Sequence, residues 1–145
     1  MDQPADFDDI LVPTDGSKNA RRAAKQAIKF ARRNDATLHV LYAMDMGDAG
    51  YVAVPSDIEQ TRRRLEKKGT EFVSDIEELA TESDVRCVTK VKADTPIDAI
   101  LEYVEENDID LVVMGKRGRS DPDKPLLGSI TNRVVGSLEI PVFTA

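Results

Sequence analysis

The sequence predicts an α/β fold, a five-stranded parallel doubly wound sheet of order 3-2-1-4-5 with helices on both faces. Three observations predict it. Short apolar runs alternate with longer segments whose apolar residues recur at helical spacing, the pattern of parallel strands joined by crossover helices. One run, Leu111-Val112-Val113-Met114, contains no polar residue, as a strand buried on both faces requires. That run empties into a loop holding Gly115, Gly118 and Gly128, and a new helical period of Ile130, Val134 and Leu138 begins where the loop closes at Ser129.

Taken in order, Phe7, Ile10, Leu11 and Val12 form a first strand, stopped by Pro13 and the turn chemistry of Asp15-Gly16-Ser17. Asp15 therefore sits at a strand's carboxyl end. A helix follows, with Ala20, Ala23, Ala24, Ala27, Ile28 and Ala31 on one face and Arg21, Arg22, Lys25, Lys29, Arg32 and Arg33 on the other. So many alanines mean close packing on the sheet. Leu38 to Tyr42 is the second strand and contains the only histidine, His39, which reads as a satisfied core residue rather than a catalytic one.

Residues 45–57 are irregular, with Gly47, Gly50 and Pro55 around Tyr51-Val52-Ala53-Val54, and read as a surface loop. A long helix then spans about Ser56 to Thr81, with Gly69 a weak point of about 1 kcal/mol against alanine. Val85 to Val91 alternates as the third strand. Thr95-Pro96 opens a helix with the stripe Ile97, Ile100, Leu101 and Val104, ended by Asn107 and Asp108. The last helix runs from Ser129 to about Ser137, and Val142-Phe143-Thr144 is the fifth strand. In a 3-2-1-4-5 sheet, strands 1 and 4 are neighbours at the topological switch point. Pro13-Thr14-Asp15 and Met114-Gly115, a hundred residues apart, thereby become two lips of one crevice.

Composition narrows the function classes. The chain's 145 residues predict a single domain over 1–145, with no second core. One cysteine, Cys87, permits no intramolecular disulfide, so a reducing cytoplasm is the simplest compartment. The acidic start and the lack of eighteen consecutive apolar residues predict a soluble chain without an export signal. With 27 Asp+Glu against 20 Lys+Arg and a net charge of −7, no nucleic-acid and no membrane partner is expected, although local basic patches remain open.

The loop after Met114 is built for an anion. Its glycines let backbone N–H groups approach a ligand closely, and the helix that follows adds unpaired N–H groups and the positive end of its dipole. Lys116, Arg117, Arg119 and Lys124 outnumber Asp121 and Asp123 there. A triphosphate suits such a segment. The P-loop pattern Gly-x4-Gly-Lys-[Ser/Thr] and the dinucleotide pattern Gly-x-Gly-x2-Gly are both absent.

Gly115, Gly118, Gly128 and Ser129, spaced as Gly, two residues, Gly, nine residues, Gly, Ser, resemble the ATP-binding signature of the universal stress protein family. Val12-Pro13-Thr14-Asp15-Gly16-Ser17 and Pro141-Val142-Phe143 extend the resemblance over essentially the whole chain. It departs inside the loop, where Arg117 stands in place of a frequent histidine and Asp121-Pro122-Asp123-Lys124-Pro125 is stiff and polar. The resemblance implies ATP bound with Mg²⁺ or Mn²⁺. Pro13, Thr14, Val40 and Met114 would surround the adenosine, and Asp15 would meet the nucleotide or its hydrated metal. Gly115, Arg117, Gly118, Gly128, Ser129, Ile130 and Thr131 would hold the phosphates. It also implies a homodimer through Val142, Phe143 and Thr144, and a nucleotide-dependent regulator with protein partners that the sequence does not name. A slow ATPase on the same fold and a dimeric scaffold that binds no nucleotide are the alternatives.

Overall fold

The computed structural model describes residues 7–46, 55–115 and 126–145. Its elements are β1 (Asp9–Pro13), α1 (Lys18–Asn34), β2 (Thr37–Met44), α2 (Pro55–Glu82), β3 (Cys87–Ala93), α3 (Pro96–Glu106), β4 (Leu111–Met114), α4 (Leu126–Ser137) and β5 (Val142–Thr144). The five strands form one sheet in the order β3-β2-β1-β4-β5, with every pair parallel, as the sequence predicts.

Each sheet face buries alternate residues of the same strands, following the two-residue period of a strand. Ile10, Val12, Leu38 and Val40 enter a core with Ala23, Ala24, Ala27 and Ala31 of α1 and with Val73 and Ile76 of α2. Leu11, Leu41, Val112 and Met114 enter a second core with Ile97, Ile100 and Tyr103 of α3 and Val134 of α4. The helices begin and end on local chemistry. Ser17 caps α1 by accepting from the Ala20 N–H, Thr95 caps α3 by accepting from the Asp98 N–H, and Asp35 closes α1 in the left-handed conformation.

β2 and β3 run on past the expected Tyr42 and Val91 to Met44 and Ala93, pairing with each other to the end, and two starts move. Val85 does not join the third strand: Ser83, Asp84 and Val85 donate back to Ala80 and Thr81 around a left-handed Asp84, so this stretch closes α2 and pairing starts at Cys87. The last helix opens at Leu126 rather than Ser129. Leu126 and Leu127 are strong helix formers directly after Pro125, so Gly128 and Ser129 fall inside the first turns instead of at the cap. The greater part of the 45–57 loop, like Lys116, Arg117, Gly118 and Arg119, lies outside the described residues.

Candidate functional site at the carboxyl end of the sheet

At the carboxyl end of β1 the chain makes a turn whose side chains hold its own backbone. The Thr14 N–H donates to the Leu41 carbonyl at 2.9 Å, carrying the sheet pairing one residue past β1. The Gly16 N–H donates to Thr14 Oγ1 at 3.1 Å and the Ser17 N–H to Asp15 Oδ1 at 2.9 Å, the short-range pattern by which Thr and Asp build turns. Asp15 spends one carboxylate oxygen in this way. The other, Oδ2, is buried and has no hydrogen-bond partner among the described residues. A buried acceptor left unmade costs about 1–3 kcal/mol, which singles this oxygen out among the described side chains.

A cleft of about 200 Å³ opens beside it, with Pro13, Thr14 and Asp15 on one lip, Tyr42 and Asp45 past the point where β1 and β2 stop pairing, and Leu65 and Pro96 contributed by α2 and α3. Aromatic rings pack its wall. Gly16 adopts φ +81°, and a Cβ there would stand 2.3 Å from the Phe72 ring. Tyr42 meets Phe72 edge to face at 5.7 Å, and a Cβ on Gly69 would stand 2.3 Å from the Tyr42 ring. Gly69 thus weakens α2 for a packing reason: only glycine lets the Tyr42 ring lie against the helix. Burial raises the Tyr42 hydroxyl above its ordinary pKa, and the Asp15 carboxylate raises it further.

The structure brings Pro13, Thr14 and Asp15 together at this cleft. Val40 and Met114 are fully buried in the two opposite cores, so any ligand contact they make is through the backbone. Gly115 is buried after β4, and a Cβ there would stand 3.0 Å from the Asn19 carbonyl oxygen; its need for glycine is close approach to α1. Gly128, Ser129 and Ile130 lie in the opening turns of α4 with Thr131 directly after them. Arg117 and Gly118 lie outside the described residues. Sequence reasoning missed Tyr42, Asp45, Leu65 and Pro96. The signals available for Tyr42 and Pro96 were an aromatic residue ending an apolar strand and a proline opening a helix.

His39 lies in a separate cluster, as the satisfied core residue expected. Its Nε2 is 2.9 Å from Asp9 Oδ1 and its Nδ1 2.7 Å from the Tyr103 hydroxyl, with the two rings edge to face. Asp110 completes the cluster by accepting from the Asp8 and Asp9 N–H groups at 2.9 and 3.3 Å. Burial first, then the Asp9 carboxylate and Cys87, push the Tyr103 hydroxyl up to about 12. Burial and Glu77 push the Cys87 thiol up to about 12, which makes it a poor nucleophile.

A doubly wound sheet is an architecture that places ligands at the carboxyl ends of its strands, and this cleft lies at the carboxyl ends of β1 and β2, with no β4 residue in its lining among the described residues. The model of the universal stress protein family matches residues 6–145, and the chain belongs to that family. It is 32% identical over 136 residues to a universal stress protein of Methanocaldococcus jannaschii, covering 92% of this chain and 79% of that one. The structure of UspA, a universal stress protein from Lactobacillus plantarum, superposes with a TM-score of 0.82 at 26% identity, covering 97% and 98% of the two chains. A universal stress protein family member from Arabidopsis thaliana, solved with AMP bound, superposes with a TM-score of 0.70 at 23% identity over 94% and 90%.

Proposed function

We propose that this chain binds ATP, with Mg²⁺ or Mn²⁺, at the carboxyl end of β1 and β4 and acts as a nucleotide-dependent regulator in the cytoplasm. The observation that carries the reading is Asp15 Oδ2, a buried acceptor without a partner among the described residues, on the lip of a cleft. A hydroxyl or amino donor of the nucleotide, or water on its metal, satisfies it. AMP bound to the Arabidopsis relative supports the ligand class.

The residues present fit the group. The cleft is smaller than the roughly 300–1,000 Å³ of a pocket for a whole ligand, so it takes the base and sugar, and the phosphates reach past it. Pro13, Thr14 and the backbone of Val40 and Met114 hold the adenosine. Gly115, Arg117, Gly118, Gly128, Ser129, Ile130 and Thr131 hold the phosphates. The nucleotide is a signal rather than a fuel: backbone N–H groups hold phosphates about as well in the ground state as in a transition state, and uniform binding does not raise kcat. The single histidine, which would be the readiest base, is engaged by Asp9 and Tyr103 in the other cluster.

The protein assembles as a homodimer through β5. Val142-Phe143-Thr144 is the sheet's outer strand beside β4, and Phe143 remains 41% exposed, so a second copy covers an apolar edge.

Thermal melting with Mg-ATP tests the reading. At 100 times Kd the gain is about 2.7 kcal/mol, a rise of roughly 5–11 °C for a domain of this size. No rise at millimolar Mg-ATP sinks the nucleotide reading and leaves the scaffold. Single-turnover assays with protein in excess separate regulator from enzyme: ATP persists over many minutes, whereas loss within seconds makes the protein an ATPase.

A further inference from the structure

The charge of this molecule is unevenly distributed. α1 carries Lys18, Arg21, Arg22, Lys25, Lys29, Arg32 and Arg33 and no Asp or Glu. Its seven positive charges sit in a chain of net charge −7, so the remainder is twice as acidic as the whole. At 100° per residue all seven fall within an arc of about 120°, a single ridge roughly 25 Å long. All seven are exposed, while the opposite face, Ala20, Ala23, Ala24, Ala27, Ile28 and Ala31, is buried against the sheet. Among the described residues only Arg21 of the seven has an ion-pair partner, Asp75 of α2.

We propose that this ridge docks the phosphodiester backbone of a nucleic-acid duplex, without reading sequence. Like charges so concentrated repel one another, and a polyanion relieves that repulsion while releasing its own counterions. The dimensions match. Over about 25 Å a duplex presents about seven phosphates per strand. No aromatic or large apolar side chain stands among the cations, so nothing on the ridge stacks on bases or inserts between them, and the contact ends at the backbone.

The same features disfavour the other anionic partners. An amphipathic helix holds a membrane by burying its apolar face in lipid, and the apolar face of α1 is already in the core. A flat anionic bilayer would also meet the neighbouring α2, whose exposed Glu71, Asp75, Glu78 and Glu82 it repels, whereas a rod can rest on one ridge. A folded acidic protein would find only exposed ion pairs here, worth about 0.2–1 kcal/mol each, with no apolar anchor.

This inference is independent of nucleotide binding, and its test keeps the two apart. Binding of the whole protein to a labelled 25-base-pair DNA duplex of random sequence is followed by fluorescence anisotropy as salt is raised. With about six phosphates contacted, affinity falls roughly 10³-fold between about 50 and 200 mM salt. The quadruple variant Arg22→Gln, Lys25→Gln, Lys29→Gln, Arg32→Gln touches no residue of the nucleotide cleft and keeps good helix formers. It should weaken duplex binding at least about 10²-fold and flatten the log–log salt slope by about 3.6. Its melting temperature, measured in parallel, should match the parent's; single Lys25→Gln and Lys29→Gln variants, each flattening the slope by about 0.9, carry the test if it does not. No duplex binding at 20 mM salt overturns the proposal, as does unchanged binding by folded variants. Binding to vesicles of phosphatidylserine and phosphatidylcholine in place of the duplex overturns it in favour of a membrane.

Discussion

Two carboxylates on β1 and the turn after it, six residues apart, have opposite surroundings. Asp9 sits in a cluster where its carboxylate meets His39, His39 meets Tyr103 and Asp110 accepts from the backbone, so the described polar groups there have partners. Asp15 ends the same stretch of chain with one oxygen used and the other buried without a partner among the described residues. Buried polar groups are normally satisfied. The satisfied cluster is therefore scaffold, fastening β1 and β2 to α3, and the unsatisfied oxygen is the one the proposed function assigns to a ligand. The difference teaches that the proposed site is marked by a missing bond and not by the density of titratable side chains, which is greater in the scaffold cluster.

The largest effect expected on breaking this contrast comes from His39→Leu. It strands the Tyr103 hydroxyl and half-strands Asp9, which is partly exposed and can rehydrate, for a loss of about 2–4 kcal/mol in urea unfolding. ATP binding by the fraction that remains folded should be unchanged; a large loss of affinity there would mean that the two clusters are one site.

A smaller loss follows from alkali. Tyr103 and Cys87 have folded pKa values of about 12, above their ordinary 10.0 and 9.0, so the folded state holds these protons more tightly than the unfolded one. Their contribution is whole below pH 9 and is lost as pH rises from 9 through 12. Stability measured across that window should fall, and Tyr103→Phe should flatten the fall above pH 10. A parent whose stability is level from pH 9 to 12 contradicts the burial of both groups.

The smallest effect on the fold is expected at Asp15. Asp15→Asn keeps an oxygen for the Ser17 N–H and changes only an oxygen that has no partner among the described residues, so the melting temperature of the free protein should move by no more than the equivalent of about 0.5 kcal/mol. The rise caused by Mg-ATP should shrink or vanish. A free variant destabilised as strongly as His39→Leu would make Asp15 scaffold as well.

Sequence reasoning reached strand order, the ends of β4 and β5, and the place of Asp15 at the carboxyl end of β1 because these rest on local signals: unbroken apolar runs, turn residues and crossover topology. It misplaced the starts of β3 and α4, where two local signals competed. Val85 fits an alternating strand as well as it fits a helix-closing turn, and Ser129 looks like a cap until Leu126 and Leu127 extend the helix ahead of it. It foresaw that His39 would be satisfied but not by what. Asp9 is 30 residues away and Tyr103 64 residues away, and no periodicity connects them. The stripe assigned to α3 included Leu101 and Val104 and passed over Tyr103, because a tyrosine becomes a core residue only when a partner accepts its hydroxyl.

Gly69 and Tyr42 form a lock and key within one chain: a missing side chain on a helix admits a ring from a strand that borders the cleft. Positions 69 and 42 are therefore not free to vary separately. A methyl group at 69 has to displace the ring, and a displaced ring also abandons Phe72, which in turn lies over Gly16 beside Asp15. Homologues should trade volume between 69 and 42, with a larger residue on the helix accompanying a smaller one on the strand. Any such exchange would reshape the wall of the cleft, so drift in a helix remote from the phosphate loop becomes a route by which ligand preference can change while the turn at Asp15 stays as it is.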